Sequence, residues 1–260
     1  MSKKLRIGIL VSGGGTNMQA IVRNCLSGKV DAEVAFVASD NPGSKGLAWA
    51  KKEKIPNFLI DHKNIRKKVK SGDWLPANKK MVNEVHEKST CVHSLFKGDV
   101  EKQKSHLAWK ILAEGALLVE VKMYKIDYLI LAGFMQLCTA HLIDEMNEGK
   151  VYPGIINIHP ALLPAFPGVD GYGDTIRYGC KFGGCTVHFV DYGEDTGPII
   201  AQRAIPVNPG DTKESFMKKG LEEEYEVFSE VIHALAQGRV TEVTDPSQKR
   251  KKYWLDRRVN

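Results

Sequence analysis

Short apolar runs alternate with amphipathic stretches along most of the chain. Arg6–Val11 (RIGILV), Ala32–Ser39, Asn57–Ile60, Ile126–Gly133 (IDYLILAG) and the run from Ile155 to His159 read as buried strands, because each is a short apolar block bounded by Gly, Pro, Asn or Asp. Between them, helical spacing appears at Met18–Leu26, Lys45–Lys54, Leu107–Tyr124 and Thr139–Asn147. Strand and helix in alternation predict a parallel sheet wound with helices on both faces. After Pro164 the pattern changes: residues 165–173 are a loop rich in Gly and Pro, followed by a short helix over Asp174–Tyr178. Gly184–Val190 (GCTVHFV) then alternates as a strand, with Cys185, Val187 and Phe189 on one face and Thr186, His188 and Val190 on the other. A strand over Ile199–Val207 returns beside it, a hairpin-like pair that predicts an antiparallel addition. A long helix over Thr212–Ala236 closes the regular pattern, capped by Asp211 and ended by Gly238.

One stretch breaks the rhythm. Asp61 to Ser105 is polar and weakly periodic apart from a helix around Asn78–Lys88, and reads as an inserted lobe docked through Trp74, Leu75, Leu95 and Phe96. The expected architecture is therefore α/β: a doubly wound, mostly parallel, Rossmann-like sheet with an added antiparallel strand pair and an inserted polar lobe. Residues 1–240 form one domain interrupted at 61–105, and residues 241–260 form a basic C-terminal tail. Tyr253 and Trp254 lie among the tail's cations, and the sequence leaves open whether it packs.

Composition changes this picture little and charge changes it more. An apolar fraction of 43% in 260 residues suits a soluble globular protein, and no 18-residue apolar run suggests a membrane span. The start, Met1-Ser2-Lys3-Lys4, leads straight into a strand without a cleavable apolar segment, which predicts a cytoplasmic protein. Five cysteines without a C-x-x-C pair predict reduced thiols and no metal site. The net charge is +6, but residues 61–105 carry 11 Lys/Arg against 6 Asp/Glu and residues 246–260 carry 6 against 1, so the remainder is net acidic. A nucleic-acid partner would have to meet those two stretches. Without aromatic and basic residues interleaved, the expectation is small-molecule substrates, no nucleic acid, and a monomer or homodimer.

Candidate chemistry gathers at three places. Asn157 and His159 sit two positions apart at the end of a buried strand, hence on one face at the sheet's carboxyl edge, where such folds bind ligands. If Asp195 folds back onto that edge, an amide, an imidazole and a carboxylate form a set able to hold an oxyanion, move a proton and orient the imidazole. A core histidine with two turn residues accounts for the same letters. Ser12-Gly13-Gly14-Gly15-Thr16-Asn17, between the first strand and its helix, makes an anion cradle suited to a phosphate; it lacks the Lys-Ser/Thr of a P-loop and does not spell G-x-G-x-x-G. A tight strand-to-helix turn also needs such glycines. Gly133 to Cys138, after the fourth strand, offers an apolar slot for a flat ring or a simple packing segment.

Taken in order, SGGGTN, LAGFMQLC, NIHPALLPAFPG, TVHFV, DTGPIIAQ and the helical LEEEY at 221–225 resemble the folate-dependent formyltransferases, over about residues 6–60 and 106–240. The glycine loop narrows that resemblance towards the phosphoribosylglycinamide (GAR) formyltransferases. It implies formyl transfer from 10-formyltetrahydrofolate to the amine of GAR in purine biosynthesis, with Asn157, His159 and Asp195 catalytic. It further implies GAR contacts at Gly15, Thr16, Asn17 and Glu224. Folate contacts would fall at Met135, Gln136, Leu137, Cys138, Asn157, Asp191, Glu194 and Asp195, with Thr186 and His188 in support and no metal. Two departures stand out: Gln136 where an arginine is common, and Val169–Asp174 (VDGYGD) in place of a histidine-bearing loop. They leave a sugar-nucleotide amine, or water as in formyltetrahydrofolate deformylase, as alternative acceptors.

Overall fold

The computed structural model describes residues 4–70, 78–96, 98–244, 247 and 250–256. Strands β1 (Leu5–Val11), β2 (Ala32–Ser39), β3 (Asn57–Leu59), β4 (Tyr128–Leu131) and β5 (Ile155–His159) run parallel, and β6 (Phe182–Phe189) and β7 (Ile199–Pro206) join them antiparallel. The order across the sheet is β3-β2-β1-β4-β5-β6-β7. The helices are α1 (Thr16–Leu26), α2 (Lys45–Lys52), α3 (His62–Lys70), α4 (Lys79–Lys88), α5 (Thr90–Leu95), α6 (Val100–Tyr124), α7 (Ala140–Asn147), α8 (Gly171–Tyr178) and α9 (Lys213–Ala236). The expected doubly wound sheet with its antiparallel pair is therefore what the chain forms. Strand order reverses between β1 and β4, so the loops that leave those two strands part and open a crevice.

The pleat assigns each strand residue to a layer. Ile7, Ile9 and Val11 of β1 enter one core layer and Leu10 the other. Helices α1 and α9 cover the first layer through Met18, Ile21 and Val22 and through Val227, Phe228, Val231 and Ile232, a helical face in each case. Leu117, Leu118 and Val121 of α6, with Leu142, Ile143 and Met146 of α7, cover the second. Each fully buried side chain of this kind stabilises the fold by about 1.5–3 kcal/mol.

Several boundaries move for local reasons. Helix α1 starts at Thr16, not Met18, because Gly15 in the left-handed region (φ 70, ψ 31) turns the strand directly into the helix. Helix α6 starts at Val100, where the Asp99 carboxylate accepts from the Lys102 N–H. The cap of α9 is Thr212, not Asp211: Thr212 and Ser215 form a reciprocal capping box, and Asp211 accepts from Ser215 Oγ and Lys219 Nζ.

Both segments that looked irregular carry structure. In the lobe, α3, α4, α5 and the start of α6 collect Val69, Val82, Val85, Val92, Leu107 and Trp109 into a separate apolar cluster. Arg66 lies over the Trp109 ring at 4.0 Å, and Phe96 meets His106 with ring centroids 5.3 Å apart. Trp74, Leu75 and the side chain of Leu95 lie outside the described residues. After α9, β8 (Val240–Val243) and β9 (Lys252–Leu255) pair antiparallel as a second sheet. Tyr253 is buried there, its ring edge-on to Phe189 at 4.7 Å. No helix among the described residues is long and apolar enough to cross a membrane.

Candidate active site

Strand β5 is bonded on both edges, to β4 in parallel and to β6 antiparallel, and its register sets Asn157 between Leu131 and His188. That pairing fixes the backbone of Asn157 and His159 before any side chain acts. Asn157 Nδ2 donates to His188 Nε2 at 3.2 Å, while His188 Nδ1 lies 2.8 Å from the Phe189 carbonyl. A carbonyl only accepts, so the His188 proton sits on Nδ1 and Nε2 carries the lone pair Asn157 requires. His188 is buried, and burial pushes its pKa below the ordinary imidazole value, in keeping with a neutral ring. One Asn157 N–H is thereby spent and the other is left for a ligand.

His159 is 2% exposed and held at both ring nitrogens. Nε2 donates to the Phe166 carbonyl at 2.7 Å, and Nδ1 lies 3.1 Å from Asp195 Oδ2. Asp195 thus meets His159 directly. It arrives from a loop, with φ at +53, and the Gly168 N–H donates to its Oδ2 at 2.8 Å. Its other oxygen stands 3.7 Å from His188 Nε2. The amide, imidazole and carboxylate expected to converge do so. Phe166, also at positive φ, supplies only a backbone carbonyl, so no side-chain pattern announced it.

These groups face a cavity of about 500 Å³ that runs from the glycine turn to the loop after β4. Gly15, Thr16, Asn17 and Glu224 line one end; Met135, Gln136, Leu137, Cys138, Asp191 and Glu194 line the other, and Asn157, His159, His188 and Asp195 lie between. Thr186 is fully buried outside the cavity wall, where its Oγ donates to the Ala161 carbonyl and accepts from the Leu163 N–H, fixing the chain that leaves β5.

At the glycine end, a Cβ on Gly15 would come within 2.9 Å of Gly46 Cα, so only glycine lets the turn pack against α2. The first turn of α1 carries no acidic residue, which leaves its N–H groups and dipole unopposed. Asn17 Nδ2 donates to Glu224 Oε2 at 2.6 Å, and Tyr172 Oη donates to Glu224 Oε1 at 2.5 Å. Burial pushes the Glu224 carboxyl up, while these two donors pull it back towards ionisation. Asn17 Oδ1 is buried without a partner, an acceptor awaiting a donor. Tyr172 was not singled out by its sequence, although VDGYGD was; it fits because Gly220 of α9 is bare, and a Cβ there would lie 2.2 Å from the tyrosine ring. In the same loop Asp170 pairs with Lys213 and Arg177, which hold its carboxyl below the usual range.

At the other end, the two loops of the crevice are stitched together. Ser12 Oγ donates to Asp40 at 2.6 Å and accepts from the Met135 N–H at 2.9 Å, and Gln136 Nε2 donates to Asp40 at 2.9 Å. Behind this wall the buried Lys110 donates to the Leu137 carbonyl, and the buried Glu114 accepts from both N–H and Oγ of Thr139. Neither Lys110 nor Glu114 is expected from the sequence to support this wall; both look like surface letters of a helix until the loop after β4 closes on them.

The sequence profile of the formyl transferase family matches residues 5–232. Phosphoribosylglycinamide formyltransferase of Bacillus subtilis is 31% identical over 230 residues, which cover 88% of this chain and 94% of that protein. The trifunctional purine biosynthetic protein adenosine-3 of Drosophila pseudoobscura pseudoobscura is 32% identical over 243 residues; the match takes in 92% of this chain and 14% of that longer protein. The crystal structure of glycinamide ribonucleotide transformylase 1 from Symbiobacterium toebii has 30% sequence identity and a TM-score of 0.71, covering 98% of this chain and 95% of its own.

Proposed function

This chain belongs to the formyl transferase family, and from that premise we propose that it transfers a formyl group from 10-formyltetrahydrofolate to the amine of glycinamide ribonucleotide, a step of purine biosynthesis. The observation that carries the reading is the single cavity joining a phosphate-sized glycine turn to the Asn157, His159 and Asp195 cluster and on to the apolar slot. Its volume falls in the range of small-ligand sites, roughly 300–1,000 Å³.

The residues fit both substrates. Backbone N–H groups at Gly15, Thr16 and Asn17 receive the acceptor's phosphate. Glu224 and the unpaired Asn17 Oδ1 are acceptors suited to its hydroxyl or amine donors. Met135 to Cys138 hold the folate ring from one side, and Asp191, Glu194 and Asp195 from the other. The folate supplies the formyl carbon. As a bond forms from the acceptor nitrogen to that carbon, negative charge grows on the formyl oxygen, and Asn157 with protonated His159 stabilises it. Collapse then breaks the bond from carbon to the folate nitrogen. Protonated His159 gives its proton to that leaving nitrogen and is recharged by the proton lost from the attacking amine, while Asp195 holds the imidazole and its charge. Nε2 must exchange the Phe166 carbonyl for the reacting group, so the positive-φ turn at Phe166 yields when substrate enters. The bond changes balance with one relayed proton and need neither a metal nor a covalent enzyme intermediate.

A spectrophotometric transfer assay with GAR, a sugar amine and water as competing acceptors tests the proposal. GAR is expected to exceed the others by at least about a hundredfold in kcat/KM. Formate release to water at the same rate with and without GAR would overturn it.

A further inference from the structure

Both basic stretches of the chain end on one loop, and that loop carries Asp195. From the tail, Arg250 Nη2 donates to the carbonyls of Thr196 and Gly197 at 2.7 and 2.9 Å, the two residues that follow Asp195. From the lobe, Thr90 Oγ donates to the Tyr192 carbonyl at 3.0 Å and the Cys91 N–H reaches the same oxygen at 3.4 Å. The Tyr192 hydroxyl meanwhile donates to Asp144 at 2.5 Å, and Lys88 pairs with that carboxylate at 2.7 Å.

We propose that Arg250 of the tail and Thr90 of the lobe are positioning residues that clamp the 191–197 loop near its two ends and so hold Asp195 against His159. The role rests on the formyl-transfer reading of that pair. Asp195 needs such help. At φ +53 it occupies a backbone region that residues with a Cβ seldom adopt unless their surroundings impose it. Its loop has internal bonds, with Asp191 accepting from the Gly193 N–H and Thr196 Oγ, but these shape the turn without fixing it on the sheet. Gly197 must also pass close to β6, since a Cβ there would lie 1.7 Å from the Phe189 carbonyl. Arg250 bonds the carbonyls on either side of the Gly197 Cα, one in the Thr196–Gly197 peptide and one in the Gly197–Pro198 peptide, and draws that turn in. Its partners are backbone oxygens, so the clamp depends on the tail and makes no demand on loop side chains. The tail lies beyond residues 5–232, the span matched by the family profile.

The test uses the full chain with Arg250→Ala, Arg250→Lys and Thr90→Val, each made alone and with Asp195→Asn. Arg250→Ala is expected to lower kcat about tenfold at unchanged acceptor KM, because a small displacement of the carboxylate disorients the imidazole. Arg250→Lys should recover part of the loss, having one ammonium for two carbonyls. In the Asp195→Asn background, Arg250→Ala should cost less than about twofold, since both act through one contact. Hydrogen exchange of the peptide spanning 191–197, measured without substrates, should quicken in Arg250→Ala and in Thr90→Val while the β1 and β5 peptides stay protected. Equal losses in both backgrounds, or unchanged exchange in both variants, would overturn the clamp. If no acceptor is formylated by the wild type yet exchange still quickens, the clamp stands and the proposed reaction falls. Should Arg250→Ala fail to fold, Thr90→Val alone decides by the same two readouts.

Discussion

The cluster is built in two ways. Asn157 and His159 belong to β5, whose backbone is bonded along both edges and whose side chains are seated by His188 and by the Phe166 carbonyl. Asp195 hangs on a loop, in a left-handed conformation, and meets the body through Gly168 and through contacts from two distant segments. Sheet hydrogen bonds set the first half as part of folding. The second half is set by tertiary contacts that other parts of the chain can alter without touching the core. In the proposed reaction a fixed element would do the chemistry and an adjustable one would orient it.

Substitutions at the fixed half should do the most damage. His159→Ala removes the proton relay and one oxyanion contact, with an expected loss in kcat of about 10²–10⁴-fold. Asn157→Ala removes a donor aimed at developing charge and should cost about 10²–10³-fold. Steady-state rates, with circular dichroism and melting curves as folding controls, check both. Near-native turnover in either variant would remove the strand end from the chemistry. The adjustable half should suffer less: Asp195→Asn keeps an acceptor for the Gly168 N–H but loses the charge beside Nδ1, and a fall of about 10–100-fold in kcat with little change in KM is expected. A loss as large as that of His159→Ala would mean that the carboxylate itself takes part in proton transfer.

What could be read from the letters follows the same division. The period of two puts Asn157 and His159 on one face, and the apolar run marks their strand as buried, so local sequence was enough for the fixed half. Asp195 lies 36 residues further along, and its approach was an expectation carried by the D-x-G-P pattern rather than by any period. Arg250 and Thr90 were beyond reach. A cation in a run of cations carries no sign of which one turns inward, and a donor to a backbone carbonyl needs no matching partner residue. The lobe's first helix is hidden for a related reason: α3 has only Ile65 and Val69 at helical spacing towards its cluster, too few apolar positions to stand out from a polar stretch. Tyr172 was hidden because its role depends on the bare Cα of Gly220, about fifty residues away in sequence, and a glycine inside a helix pattern more often signals weakness than fit.

A control outside both halves sharpens the comparison. Glu224→Gln and Tyr172→Phe act at the proposed acceptor end, where the carboxylate is held by Asn17 and Tyr172. Glu224→Gln turns one acceptor oxygen into a donor facing donors, and Tyr172→Phe frees the carboxylate to rotate. Both should raise the acceptor KM, by about tenfold and about threefold, with the folate KM and kcat nearly unchanged. A matching drop in kcat would tie the acceptor end to the chemical step and erase the division of labour between the two.

The smallest expected effect is one of pH, and it probes the seat beneath the fixed half. His188 accepts from Asn157 only while its Nε2 is unprotonated, and burial holds its pKa below the ordinary value of 6.5. An unfolded chain takes up this proton near pH 6.5, whereas the folded ring refuses it until lower pH, so between those points the unfolded state binds more protons and stability rises with pH. Read downwards, stability is full above about pH 6.5 and falls as acid is added, levelling off below the folded value. Burial also lowers His62, His141 and His106, the last to about 4, so the wild type should lose melting temperature steadily from pH 7 to pH 5. His188→Gln keeps an acceptor for Asn157 but cannot titrate. Its melting temperature should fall less over that interval, by roughly 1–3 °C, with the other three histidines supplying the slope that remains. An identical slope in the variant would mean that His188 takes up its proton at the same pH folded and unfolded, so that its seat does not favour the neutral ring; a steeper slope would mean that the ring carries its proton in the fold, in which case Asn157 would have no acceptor there and the strand end would owe its order to the sheet alone.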